Sequence, residues 1–195
     1  MRRGKIRCLP AIGICALLLC TGAFAAFRWG GCGTKQLILK LPSGYVYGTE
    51  GKESLQKQKA DGISIALWRE EKGVIITNPE FNRSVGLDAV ALAGDSAVLF
   101  PCGNALVSGE EGYCILGKNA ALQLFGSTKV SGKTVLIKGK AYQVAGVEFD
   151  RPDIFVYELS ADEDETLEYA GIIYGSRSEK YEKLRRLQNY FGVSE

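Results

Sequence analysis

The stretch Ile115–Val147, ILGKNAALQLFGSTKVSGKTVLIKGKAYQVAGV, changes hydrophobic period partway along, and that change limits the folds open to the chain. Ala120, Ala121, Leu124 and Phe125 recur at helical spacing after Gly117 and stop at Gly126. This predicts a helix of about two turns with one apolar face. After Gly132 the period falls to two. Val135 and Ile137 alternate with Leu136 and Lys138, Gly139-Lys140 makes a turn, and Tyr142, Val144 and Val147 continue in β-branched and aromatic residues. That pattern predicts a β-hairpin. A short one-faced helix feeding a hairpin has to pack on a sheet, so the fold class is α+β with short helices.

The order of these pieces carries a resemblance. Ala121-Leu122-Gln123-Leu124-Phe125-Gly126, Gly132-Lys133-Thr134-Val135-Leu136-Ile137 and Val144-Ala145-Gly146-Val147 stand as A-x-x-L-F-G, G-K-x-hydrophobic-x-I and V-x-G-V. The succession resembles the middle of the extracytoplasmic (periplasmic) core domain of MacB-like and FtsX-like ABC transporter permeases. It covers roughly a sixth of the chain closely and about two thirds loosely, and its motifs are short and apolar. A looser correspondence places Val90, Gly94 and Leu99-Phe100-Pro101 on the family's approach to its L-F-P triplet, and Leu106–Gly109 on the turn that follows. The resemblance implies two mixed sheets with the Ala120–Phe125 helix beside the hairpin. It also implies a role in coupling or binding during transport, without chemistry of its own.

Charge is placed unevenly. Arg2, Arg3, Lys5 and Arg7 precede Cys8–Phe27, twenty residues without a charge, and no acid precedes Arg28. That is the length and flanking charge of a membrane-spanning signal anchor, oriented with the first residues in the cytoplasm and the rest across the membrane. Ala23-Phe24-Ala25 leaves a cleaved signal peptide as the competing reading. Retention is favoured by the length of the run and by the resembling permeases, which keep their first helix. The expected organisation is a basic tip and anchor over residues 1–29, a glycine-rich joint over 30–34, and a core domain over 35–192. From Arg28 onward 20 basic residues face 22 acidic ones, a balance that speaks against a nucleic-acid partner.

Six cysteines are present. Cys8, Cys15 and Cys20 fall in the apolar run and read as small hydrophobes, since Leu19 is too large for a lipoprotein site at Cys20. Cys102 and Cys114 flank a polar loop and are either free thiols or a disulfide. Cys32 is left over. With no histidine and no C-x-x-C spacing, no metal site is expected.

Elsewhere, Gln36–Leu41 alternates around Leu37, Leu39 and Leu41 and predicts a strand ended by Pro42-Ser43-Gly44. Glu50–Ala60, with Leu55 its only large apolar residue, is an exposed helix or a loop, the helix being favoured. Ile63–Ile76 holds two apolar runs around Glu70-Glu71-Lys72-Gly73 and predicts a hairpin turning there. Val85–Ala93, Asp153–Leu159 and Thr166–Tyr174 predict further strands, with an acidic loop at Ala161–Glu165. Ser176 and Glu179 form an S-x-x-E capping box, and Tyr181, Leu184, Leu187, Gln188 and Phe191 line one face of the amphipathic helix that follows. Its other face, Lys180, Lys183, Arg185 and Arg186, reads as solvated.

Catalysis finds little support. Gly126–Thr134 imitates a phosphate-binding loop but has five residues between its glycines where four are required, and it precedes a strand. The absence of histidine removes the commonest general base. No catalytic, cofactor-binding or metal residue is therefore assigned, and no cofactor. The expected partners are the membrane and, by resemblance, an ABC ATPase and a multi-span permease or adaptor subunit. After Arg28 no apolar run approaches spanning length, so a single-span accessory protein binding a partner permease, adaptor or cell-wall component is an alternative. A secreted carbohydrate-binding or hydrolase domain is another.

Overall fold

A computed structural model describes residues 35–101, 103, 106, 112–160 and 165–191. The expected anchor, the joint, Cys102, the acidic run 161–164 and the loop residues 107–111 lie outside these. No helix among the described residues is long and apolar enough to cross a membrane.

Strand β1 (Lys35–Lys40) and the two-residue β2 (Val46–Tyr47) are followed by α1 (Thr49–Ala60). The helix is largely polar and buries Gly51, Leu55 and Gln58. Strand β3 (Ile65–Asn78) then runs unbroken for 14 residues, where a hairpin was expected. Gly73 explains the difference. Its φ of +64° sits inside a register shift between Glu71 and Val74, so the polar run forms a β-bulge, and Gly73 N–H donates to Asp88 Oδ1 at 3.2 Å. The chain reverses only at Asn78-Pro79-Glu80. There the buried Asn78 amide accepts from Glu80 N–H at 2.9 Å and donates to the Leu124 carbonyl at 2.9 Å. Strand β4 (Arg83–Gly94) returns along β3.

The central composite is β5 (Tyr113–Gly117), α2 (Lys118–Phe125), β6 (Thr134–Ile137) and β7 (Lys140–Glu148). Ala120, Ala121 and Leu124 are fully buried, and Gly126 ends α2 at φ +70°. The hairpin turn falls on Lys138-Gly139, both at positive φ, one residue earlier than the expected Gly139-Lys140. Gly117 is set by a close approach. A Cβ there would lie 2.4 Å from the Pro152 carbonyl oxygen and 2.7 Å from that of Ile154, to which Gly117 N–H donates. The chain ends with β8 (Phe155–Glu158), β9 (Glu165–Thr166), β10 (Tyr169–Tyr174) and α3 (Arg177–Phe191).

The large sheet runs β1-β10-β3-β4-β8-β5-β7-β6, and β6 pairs back onto β3 at Ile76 and Thr77. Strands β3, β4, β8, β5, β7 and β6 therefore close a ring. The pairs β4–β8 and β5–β7 are parallel and the others antiparallel, so the sheet is mixed. A separate antiparallel ladder joins β2 to β9. The two mixed sheets implied by the resemblance are thus one mixed sheet closed on itself with a small ladder beside it. Closure follows from the length of β3: one edge pairs with β4, while the other is shared by β10, from Ile65 opposite Ile172 to Trp68 opposite Tyr169 near its start, and by β6 near its end.

Inside the ring lie Ile76, Ala89, Ala91, Cys114, Leu116, Val135, Ile137, Val144 and Phe155, against which α2 packs from β3, β4, β5 and β7. The helix and the hairpin are joined through this core. Towards β1 the same face of the sheet is covered by α1 and α3, with Leu55, Leu187 and Phe191 buried beside Ile65, Leu67, Ala170 and Ile172. At about 25 cal/mol per Å² of apolar area removed from water, this continuous core is the main source of stability. Side chains that alternate to the opposite face, Ala66, Trp68, Leu92, Ile115 and Val156, are also buried. The short turn Ser96–Val98 packs there on β3 and β10, and Trp68 stacks on Tyr169 at 5.6 Å above Gly171.

Candidate functional site

Where β10 leaves the edge of β3 and β6 joins it, the inward-facing residues of β3 change from apolar to charged. Ile65 and Leu67 are followed by Arg69 and Glu71, then, past the bulge, by Val74 and Ile76. Arg69 Nε and Nη2 donate to Glu71 Oε1 at 2.8 and 2.6 Å. Its Nη1 donates to Glu165 Oε2 at 2.5 Å and to the Thr166 carbonyl at 3.1 Å. Lys138, at the β6–β7 turn, reaches Glu71 Oε2 at 2.8 Å. The Tyr157 phenol of β8 also hydrogen-bonds Glu71. One guanidinium therefore ties together β3, β9 and, through Glu71, the barrel.

Electrostatics follow from burial and pairing. The side chains of Arg69 and Glu71 are each 14 % exposed. Burial opposes their charges, but the hydrogen bonds win. Those from Lys138 and Arg69 hold the Glu71 carboxyl below its ordinary value, and those to Glu165 and Glu71 keep the guanidinium protonated. Burial, then the Glu71 carboxylate, pushes the Tyr157 phenol up. A general acid needs a carboxyl raised towards neutrality, and Glu71 is shifted the other way. The arrangement is a structural tie between strands.

Two hollows adjoin the sheet. A cleft of ≈ 360 Å³ lies between α1 and the starts of β3 and β4, with Lys52, Lys59, Asp95 and Glu158 around Leu55 and Ile63. A shallow groove follows the bulge, from Glu71 and Gly73 past Ile75 to Leu136 and Lys138. Ser64 and Tyr47 also line the cleft, and no group of three or more metal-liganding side chains occurs among the described residues.

Sequence reasoning assigned no site residue, and it missed this cluster. The signal was present: Arg69 and Glu71 continue the alternation of Ile65 and Leu67 onto the buried face. Cys114 is a free thiol, wholly buried in β5, and burial pushes its pKa up. The capping box forms as expected. Glu179 N–H donates to Ser176 Oγ at 3.2 Å, and Glu179 Oε2 accepts from Gly175 and Ser176 N–H at 2.7 and 3.4 Å. Of the expected apolar face of α3, Leu184, Leu187 and Phe191 are buried, whereas Tyr181 is 53 % exposed. On the basic face Lys183 donates to the Ile173 carbonyl at 2.7 Å and Arg186 reaches Asp61, the residue after α1, at 3.3 Å, so it is partly a packing surface.

No family profile and no curated protein matches the sequence. Solved structures do match in shape. The extracellular domain of the noncanonic ABC-type transporter YknZ from Gram-positive bacteria superposes with a TM-score of 0.54 at 14% identity, covering 83% of this chain and 97% of its own. The periplasmic region of MacB from Actinobacillus actinomycetemcomitans superposes with a TM-score of 0.55 at 12% identity, covering 87% of this chain and 89% of its own. The chain shares its fold with these two extracytoplasmic transporter domains.

Proposed function

We propose that the chain is a membrane-anchored, extracytoplasmic, transporter-associated protein whose domain couples or binds and performs no chemistry. The observation that carries this reading is the shared fold, which extends over more than four fifths of this chain and nearly all of each transporter domain. The long strand β3 supports the coupling role. It passes from the half covered by α1 and α3 into the barrel, and Arg69 ties both halves to it midway. The pairing of β3 with β4 on both sides of the Glu71–Val74 bulge supports the passage of a displacement from one end of the strand to the other.

Cys8–Phe27 is the one apolar run of spanning length in this sequence, so the transport path is supplied by other segments or other chains. The same fact favours a second reading, a single-span accessory that binds a partner permease, adaptor or cell-wall component. A pull-down of the chain from a detergent extract tests both. Recovery of an ABC ATPase or a multi-span permease supports the coupling role, and recovery of an adaptor or wall fraction alone supports the accessory role. Recovery of none of these ends both.

A further inference from the structure

We propose that the end of the domain at which the chain enters rests on an anionic lipid surface, through Lys35, Arg177, Lys180 and Tyr181. The inference rests on the reading that residues 8–27 stay in the bilayer.

Chain geometry brings these residues together. Seven residues separate Phe27 from Lys35, so eight steps of chain allow the first residue of β1 to lie no more than about 29 Å from the end of the apolar run. Lys35 pairs with Tyr174, the last residue of β10, and α3 begins three residues later at Arg177. The first turns of α3 are therefore at the same end as Lys35. The tip of the β3–β4 hairpin is at the other, about 40 Å of strand away along β3.

The charges at this end are unequally neutralised. Lys35, Arg177 and Lys180 have no ion-pair partner among the described residues, and Arg185, two turns further along α3, has none either. The neighbouring acids are all engaged. Glu179 accepts from Gly175 and Ser176 N–H and pairs with Lys183 at 2.5 Å, Glu182 and Asp61 both pair with Arg186, and Asp95 accepts from Ala97 N–H. What is left over is positive. Tyr181 stands beside it, half exposed, with the Arg177 guanidinium 5.9 Å from its ring centroid. An aromatic with a polar tip among unpaired cations is the chemistry that membrane interfaces favour. A solvated helix face has no need of an exposed ring, and the sequence puts one where apolar residues of α3 elsewhere turn inward.

The test uses the full chain in nanodiscs, either of phosphatidylglycerol and phosphatidylcholine at 3:1 or of phosphatidylcholine alone. A photo-crosslinking p-benzoylphenylalanine replaces Tyr181, or Phe81 at the distal tip as control. The expected result is a lipid adduct at position 181 at least several-fold above that at 81, greater in the anionic discs. Each cation near an anionic surface is worth about fivefold in partition, so Arg177→Glu with Lys180→Glu should lower the yield by more than tenfold. Equal yields at 181 and 81, a yield at 181 indifferent to the two charge reversals, or an adduct with protein in place of lipid would each overturn the proposal. Intact mass in the same sample reads the anchor. An intact anchor without an adduct refutes the lipid contact alone, a lost anchor without an adduct refutes both, and an adduct on a chain that has lost its anchor supports the contact independently.

Discussion

Arg69→Met removes the guanidinium and keeps most of the aliphatic stem, so it isolates the charge cluster from the packing around it. In the native chain Arg69 makes hydrogen bonds to Glu71, Glu165 and the Thr166 carbonyl. Without it, Glu165 loses its cation, and Glu71 keeps the Tyr157 phenol and Lys138, whose side chain is 57% exposed. Breaking a fully buried ion pair costs about 3–5 kcal/mol, while an exposed pair is worth about 0–1 kcal/mol. With Arg69 and Glu71 at 14% exposure, Glu165 at 26%, and Lys138 left as partial compensation, about 2–3 kcal/mol is expected. For a domain of this size that lowers Tm by about 5–10 °C. Thermal unfolding of the full chain in detergent, followed by circular dichroism, reads the shift. Adding Glu71→Met to Arg69→Met should recover at least about 1 kcal/mol, because no buried carboxylate is then left short of a cation. Amide exchange of β2 and β9 should accelerate in the single variant, since Glu165 and Thr166 anchor that ladder to β3. A Tm within about 2 °C of the native chain, with unchanged exchange in β2 and β9, would refute the reasoning that this cluster holds the two halves together.

Gln58 is wholly buried with neither end of its side-chain amide hydrogen-bonded, so Gln58→Met should raise stability by about 1 kcal/mol in the same unfolding assay. Gly117→Ala drives a methyl group into two backbone carbonyls and should cost about 2–3 kcal/mol, seen as a lowered Tm. Hydrogen bonding to Lys183, then to Gly175 N–H, lowers the Glu179 pKa to about 2. A carboxyl depressed on folding adds stability above its unfolded pKa of about 4.3 and loses it as pH falls through the folded value. The first turn of α3 should therefore exchange faster between about pH 4 and pH 2, an effect Glu179→Gln abolishes. Cys114, buried and with its pKa raised, should resist iodoacetamide in the native chain and react once urea unfolds it, as peptide mass spectrometry can show.

The elements legible in the sequence are those whose pattern is local. Ala120–Phe125 and its Gly126 stop, the Ser176–Glu179 box and the alternation of β7 each depend on residues a few positions apart, and each forms as expected. Glu50–Ala60, balanced between helix and loop, is a helix because Leu55 and Gly51 find Tyr47 and the start of β3 to pack on. Glu70–Gly73 misled because a glycine among charges is the pattern of a turn and equally of a bulge. Only the partner strand decides between them, here through Asp88 of β4. Ring closure rests on Ile76 meeting Ile137 across 61 positions, a pairing that no periodicity encodes. The charge cluster was obscured by the same turn reading, which ended the alternation before Glu71, and its partner Glu165 stands 96 positions away from Arg69.

The strand order carries a consequence for how the domain comes into being. β10 lies between β1 and β3, and β8 lies between β4 and β5, so strands made last occupy the middle of the sheet. A chain emerging from its N-terminus has β1 and β3 as unjoined edges, and β4 and β5 likewise, until residues beyond 155 arrive. Such non-local pairing is slow and leaves apolar edges open to other chains meanwhile. A truncation before Phe155 removes β8 and β10 together, so β1 loses its partner strand and β3–β4 stays joined to β5, β6 and β7 only through the short β3–β6 pairing.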